Sequence, residues 1–465
     1  MPQRSITEPT SADAMTSALW SALGGTPEMP GNVEFTGRGS LPSVFAVSNF
    51  AAASVAAAGL ALAEWSDARS GRRPSVAVDR RLASLWFGFS IAPQGWVLPP
   101  AWDPVAGDYA SADGWIRLHT NAPHHREAAL KVLGTAAERD AVTAAVAKWR
   151  GDELEAAIVA EGGCAAVMRS TQEWAEHPQG RAVLAEPLMR METRDTAETF
   201  AGEFDPAQPL KGIRVLDLTR VLAGPVATRL LAGFGADVLR IDPPSWEEPG
   251  VVPDVTPGKR CARLDLKDTA GRGRFKALLS EADVLVHGYR PDALEALGLG
   301  AEVRAGIRPG LIDVSHDAYG WSGPWANRRG FDSLVQMSSG IAEAGMAAAG
   351  ADRPVPVPLP VQALDHGTGY LLAAAAVRGL TLRQTQGTGS RWRTSLARVG
   401  GFLAAHRQGP VADPIGKAEP ADYAQDVEQT DWGLALRLNS PLMLGDAVMR
   451  WDRPAGKLGR SQPVW

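Results

Sequence analysis

Only two of the 465 residues are cysteine, Cys164 and Cys261. So few exclude a disulfide framework and any paired Cys-x-x-Cys zinc or redox site, and they favour a reducing, cytoplasmic compartment. A Walker loop, a His-Glu-x-x-His stretch and a Gly-x-Gly-x-x-Gly turn are also missing. Phosphoryl transfer, zinc chemistry and dinucleotide binding therefore have no motif, and no metal site is expected. Excess positive charge is lacking too: 47 Lys and Arg face 52 Asp and Glu, for a net charge of −5. A nucleic-acid partner is not expected, and any anionic ligand must meet a local basic cluster or a helix N-terminus. Arg4, Glu8 and Asp13 interrupt the N-terminus, which has no apolar h-region, so no signal peptide is read there. The uncharged run 41–63 reaches membrane-spanning length. It is rich in Ala and Ser and holds Asn49, so it reads as a buried globular helix and no membrane association is expected.

What is present is an ordinary globular composition, 45% hydrophobic and 21% charged. Residues 1–35 read as a leader with one short helix over 11–23. The block 36–205 opens with a long helix over 43–65, turns at Gly71 and continues as a strand over 75–78. It carries a small α/β unit at 113–179, with helices over 126–133, 136–148 and 152–161. Residues 206–408 alternate strand and helix, with strands over 213–218, 237–241, 262–266, 283–287 and 311–315. Gly224-Pro225 opens the first helix and Gly235 closes it. Such alternation implies right-handed βαβ units and an open parallel sheet. Residues 409–465, loop-like over 409–431, read as a linker and return segment. The fold class is thus α/β: an open, parallel, Rossmann-like sheet domain plus a small α/β domain. Asp242 stands where a ribose-binding acid would, but the turn before it, Thr219 to Pro225, has one glycine instead of three.

The chain is organised around Pro360-Val361-Gln362-Ala363-Leu364-Asp365-His366-Gly367-Thr368-Gly369. A single acid follows an extended, proline-flanked segment and precedes a long apolar helix. Unpaired N–H groups and the positive dipole end of that helix favour the carboxylate. Its pKa is expected to stay low, leaving an available nucleophile at neutral pH. Gly367 and Gly369 allow a backbone or bulky ligand to approach closely. Taken alone, the stretch is better read as an N-cap Asp with glycines as local punctuation.

An internal repeat adds to this. When the chain is slid against itself, 49–85 lies on 365–401 without a gap, Gly71 falls on Gly387, and 75–78 falls on 391–394. A second echo pairs Glu186-Pro187-Leu188-Met189 with Ser440-Pro441-Leu442-Met443. The architecture is therefore partly duplicated, and the first copy has Asn49 where the second has Asp365. An amide is no carboxylate nucleophile, so one working site per chain is expected.

These residues resemble the class III CoA-transferases of the CaiB/BaiF type. The stretches that carry the resemblance run from Val215-Leu-Asp-Leu-Thr-Arg-Val-Leu-Ala-Gly-Pro225 through 231–240, Gly258-Lys-Arg260 with 264–267, and Tyr289-Arg-Pro-Asp-Ala-Leu294. Gly320-Trp-Ser-Gly-Pro324, Phe331-Asp332 with Ser338-Ser-Gly340, and the Asp365 helix complete them. The N-terminal part, led by Asp113-Gly-Trp-Ile116, resembles the family's small domain but precedes the sheet, a rearranged order. The resemblance implies that Asp365 is acylated by an acyl-CoA thioester, becomes an aspartyl-CoA thioester, and passes CoA to an acceptor carboxylic acid. It implies oxyanion donors at Gly367 and Gly369, and CoA contacts at Ala223, Lys259, Arg260, Tyr289, Arg290 and Leu297. Lys259 and Arg260 would neutralise phosphates and Tyr289 would stack on adenine. By themselves Lys259-Arg260 fit a solvated charged turn as well, and Tyr289 a rim aromatic. Coenzyme A enters as substrate, with no permanently bound cofactor, and a homodimer is implied, unless the small unit meets the sheet within one chain. Two alternatives are an α-methylacyl-CoA racemase and a non-catalytic CoA-binding subunit. Against the racemase, Phe331 stands where the racemases carry a proton-transferring His.

Overall fold

The computed structural model describes residues 10–350 and 354–465. Arg4 and Glu8, on which the reading of the N-terminus partly rests, lie outside the described residues. In chain order the first copy of the repeat supplies strand β1 (Val33–Thr36), helix α1 (Val47–Ser70), strand β2 (Val76–Asp79) and helix α2 (Arg80–Trp86). The larger part follows: β3 (Arg190–Thr196), β4 (Arg214–Leu218), α3 (Ala223–Gly233), β5 (Asp237–Asp242), β6 (Lys259–Arg263), β7 (Val284–His287) and β8 (Ile312–Asp317). Helix α4 (Asp332–Ser338), helix α5 (Ala363–Gln386), β9 (Thr388–Ser395), helix α6 (Leu396–Ala405) and β10 (Leu442–Leu444) complete it.

The main sheet has the order β6-β5-β4-β7-β8-β9-β3. Every neighbouring pair is parallel except the last, where β3 runs antiparallel along β9. Strand β7 is buried at every position and β4 at all but its first, as expected when helices cover both faces of a parallel sheet. The strand expected over 262–266 begins earlier, at Lys259. Pairing with β5 fixes Lys259 opposite Val238 and Arg263 opposite Asp242, a register that the apolar run alone does not disclose. Strand β3 was not anticipated.

Helices α1 and α5 are 24 residues each and lie against one another at the centre of the largest core. Each ends at a glycine in the left-handed region, Gly71 at φ 69° and Gly387 at φ 65°. Over residues 50–63 helix α1 is buried around its whole circumference, the mark of an enclosed helix. It is long and apolar enough to cross a membrane, yet 89% of its apolar window is buried within the protein. Val55, Leu60 and Leu62 are enclosed there, each contributing about 1.5–3 kcal/mol. The described part of the stretch read as a leader belongs to this core, for Met15, Leu19 and Trp20 are buried and β1 pairs with β2.

The small unit is a three-stranded antiparallel sheet of Gly107–Ala110, Trp115–Leu118 and Ala165–Val167. Its first strand lies upstream of the expected start at 113. It docks on α4 of the same chain: Cys164 and Ala166 share a core with Leu334 and Met337, and Arg328 donates to the Ala165 carbonyl at 2.8 Å. The segment expected to be loop-like, 409–431, ends in a short strand, Glu428–Thr430, which pairs with Gly433–Arg437 just beyond it.

Candidate active site

Strand order reverses between β4 and β7: the chain leaves β4 toward β5 and β6, then returns to the other side. Ligands of open α/β sheets bind above the strand ends at such a point. The loop leaving β4 is held by Asp217, whose Oδ1 accepts from the Thr219 N–H and hydroxyl at 2.8 and 2.5 Å. Val221 sits at φ 63°, the sole described non-glycine residue in that half of backbone space. For a β-branched residue this is strained, and the loop is pinned by the Val221 N–H donating to Glu248 Oε2 at 2.8 Å. Beside it the Arg220 guanidinium lies between two rings, 4.8 Å from Trp246 and 5.0 Å from Tyr289, and donates to the Tyr289 hydroxyl at 2.6 Å. Arg220 has no carboxylate at ion-pair distance among the described residues, so its charge is available to an anion. Sequence reasoning passed it over because one arginine in a loop carries no pattern.

The anticipated CoA contacts divide. Ala223 opens α3 at the crevice and is buried. Tyr289 and Arg290 follow β7, the Arg290 side chain donating to the Asn327 carbonyl at 3.1 Å. Leu297 closes the adjoining helix Pro291–Ala296. Lys259 and Arg260 do not form a phosphate cluster. They lie in β6, where successive side chains point to opposite faces. The Lys259 ammonium is fully enclosed, 3.2 Å from Asp217 Oδ2 and 2.9 Å from the Pro225 carbonyl, and burial pushes its pKa down to about 8 despite Asp217. Arg260 pairs with Asp237 at 2.7 Å and donates to the Val464 carbonyl. Asp242 is likewise consumed by Arg240, at 2.9 and 3.0 Å.

Asp365 is the third residue of α5. Its N–H donates at 2.9 Å to Oδ2 of Asp332, whose Oδ1 accepts from Gln336 Nε2; Gln336 in turn holds the Leu359 N–H at 2.7 Å. The Asp365 carboxyl itself receives no donor among the described residues, and the residue is 9% exposed. Burial, then the neighbouring Asp332 carboxylate, raises its pKa well above the ordinary range. The expectation of a low pKa is thus overturned: the helix terminus is outweighed by desolvation and a like charge. Burial raises the Asp332 pKa as well, to about 6, but both its oxygens accept N–H groups, which favours its ionised form over that of donor-free Asp365. The pair therefore rests with its proton on Asp365.

Gly367 and Gly369 are closely approached, but by the protein. A methyl group on Gly367 would meet Phe50 Cζ of α1 at 2.2 Å, and one on Gly369 would meet the Ala223 carbonyl at 2.5 Å. The second contact brings the Asp365 helix against the crevice-forming end of α3. As fifth and seventh residues of α5, both glycines lie beyond the first four N–H groups that a helix leaves free, so neither supplies an oxyanion donor. His366 points away, stacked on Phe87 at a ring distance of 5.2 Å, and burial lowers its pKa to about 3. Among the described residues no three His, Cys, Asp or Glu side chains gather as a metal site.

The model of CoA-transferase family III matches residues 210–421. Among curated proteins, a probable fatty acyl-CoA transferase of Mycobacterium tuberculosis is 32% identical over 241 residues, 48% of this chain and 60% of its own length. The succinyl-CoA:glutarate CoA-transferase of Mus musculus is 35% identical over 198 residues, 40% of this chain and 44% of its own. An acyl-CoA transferase of Gibberella moniliformis is 28% identical over 253 residues, covering 50% and 44%. A crystal structure of the mycobacterial protein aligns with 31% identity and a TM-score of 0.39 over 43% of this chain and 58% of that one. The chain spans about half the length of the curated relatives it matches. The stretch similar to CoA-transferase family III, residues 210–421, is the part of the chain that holds the crevice loops, Asp332 and Asp365.

Proposed function

We propose that this chain moves CoA between an acyl-CoA thioester and a carboxylic acid, with Asp365 as covalent nucleophile. The carrying observation is the Asp365 carboxyl, almost buried, free of donors and set against the crevice through Gly369 and Ala223. An Asp365 oxygen attacks the thioester carbonyl, the C–S bond breaks, and a mixed anhydride forms as CoA thiolate leaves. The thiolate then attacks the aspartyl carbonyl, releasing the first acid and leaving aspartyl-CoA. The acceptor carboxylate repeats the sequence in reverse, and no proton is consumed over the cycle. Splitting one transfer into several suits a nucleophile that is also a fair leaving group. Asp365 must first lose its resting proton, and Asp332 keeps its backbone in place while that happens.

CoA is assigned to the switch-point crevice, with Arg220 meeting a phosphate and Tyr289 the adenine, supported by Ala223, Arg290 and Leu297. For the acyl group, an open groove of about 510 Å³ includes Phe45, Ile341, Val357 and Leu359 on a wall without a charged side chain. It adjoins the Gln336–Leu359 bond, and we assign it to an aliphatic chain. Intact-mass analysis after incubation with acetyl-, octanoyl- and succinyl-CoA tests this reading. A CoA adduct mapping to the Asp365 peptide, formed faster from octanoyl- than from succinyl-CoA, is expected. An active enzyme with no adduct, or with one elsewhere, would refute the nucleophile assignment.

A further inference from the structure

The two copies of the repeat are not merely adjacent; each is completed by a strand that follows the other. Strand β2 of the first copy is flanked by β1 on one side, parallel, and by β10 on the other, antiparallel. Strand β9 of the second is flanked in the same way by β8, parallel, and β3, antiparallel. Yet β3 follows the first copy in the chain, and β10 follows the second. The Pro-Leu-Met echoes lead into these crossing strands. The Pro441 carbonyl accepts from the Asp79 N–H of the first copy at 2.9 Å, and the Leu188 carbonyl accepts from the Thr394 hydroxyl of the second at 2.7 Å. The local chemistry repeats as well. Asp79 caps α2 by accepting from Leu82, and Ser395, its counterpart, caps α6 by accepting from Arg398. Reciprocal exchange of equal elements is the arrangement of a two-fold, isologous pair, here joined by one continuous chain.

The first copy also lends residues to the second copy's site. Phe50 covers Gly367, and Phe87 stacks on His366. From the small unit between the copies, His119 stacks on Phe331 at 3.7 Å, and the charge of Arg117 acts on Asp332. The equivalent position of the first copy is instead closed off. At Asn49 the amide is committed, Nδ2 donating to the Thr10 carbonyl and Oδ1 accepting from Arg80 Nε, both at 2.6 Å. Arg80 goes on to Ser40 Oγ at 2.6 Å and to the Gly39 carbonyl, filling the space beside the helix start. In the second copy that position is Leu396.

We propose that the chain is a closed internal pair, in which the first copy serves in cis as the second subunit of a two-fold assembly and has retired its own site. A single chain is then the working unit, with one site. The site count rests on the reading of Asp365 given above; the strand exchange does not. Two double variants test it, Ala77→Cys with Met443→Cys across β2 and β10, and Glu192→Cys with Arg391→Cys across β3 and β9. Directly opposed residues of antiparallel strands lie within disulfide reach. Oxidation should leave both variants running as one chain on a non-reducing gel. Wild-type protein should sediment as a 49.2 kDa species and bind one CoA adduct per chain. Covalent dimers after oxidation, or an obligate dimer in sedimentation, would overturn the proposal. Intramolecular disulfides without any adduct would instead leave it standing and sink the transferase reading.

Discussion

Replacing Asp332 with Asn probes the least expected feature of the site, the raised pKa of Asp365. The Asp332 carboxylate accepts the N–H of Asp365 itself at 2.9 Å, so the two carboxyl groups are near neighbours. Like charges about 5 Å apart at an effective dielectric near 20 repel by about 3 kcal/mol. Half of that would still change the ratio of ionised to protonated Asp365 roughly tenfold. Asn is neutral and keeps one acceptor, at a cost of about 1 kcal/mol for the N–H bond it cannot accept. Transfer needs ionised Asp365, so activity in the wild type should fall as pH drops through its raised pKa. In Asp332→Asn that acid limb should lie at lower pH, while the basic side is unaffected by this term. The assay is kcat/KM against pH from 4.5 to 8.5 for both proteins, with thermal melts to exclude unfolding. Superimposable acid limbs from a folded variant would refute the coupled-carboxylate argument.

Asp365→Asn should abolish adduct formation and transfer, by several orders of magnitude, while stabilising the fold at neutral pH. The folded-state pKa of Asp365 is raised, so its contribution to stability is fully present below the ordinary carboxylate pKa and is lost as pH rises through the raised one. The variant should therefore melt higher than wild type at pH 7, by about 1–3 kcal/mol, with the gap closing toward pH 4; a lower melting temperature at pH 7 would refute this. Lys259→Met should leave KM for CoA nearly unchanged but cost about 3–5 kcal/mol of stability, because it strands Asp217 in the core. A large rise in KM with normal stability would restore Lys259 as a phosphate ligand. Gly367→Ala should destabilise by about 1–3 kcal/mol through overlap with Phe50, and Phe50→Ala should recover part of that loss in a double-mutant cycle; additive effects would place the strain elsewhere.

Much of the frame could be read from the chain alone, because local chemistry decides it. The run Arg214–Leu218 is a strand buried on both faces, Asp365 enters the first turn of its helix, and Gly71 and Gly387 end their helices because glycine takes the left-handed conformation without a Cβ penalty. The slide of Asn49 onto Asp365 likewise needs no coordinates. What the sequence could not decide depends on neighbours brought in from a distance. Lys259-Arg260 looks like a basic pair, but its placement in a strand sends one side chain to a buried partner 42 residues away and the other to the opposite face. The charge state of Asp365 follows from Asp332, 33 residues earlier, and from burial that no local pattern shows. Strands β3 and β10 have weak patterns of their own, and their partners are set by which sheet edge is open. For that reason only the tertiary structure determined that each copy is completed by the segment following the other.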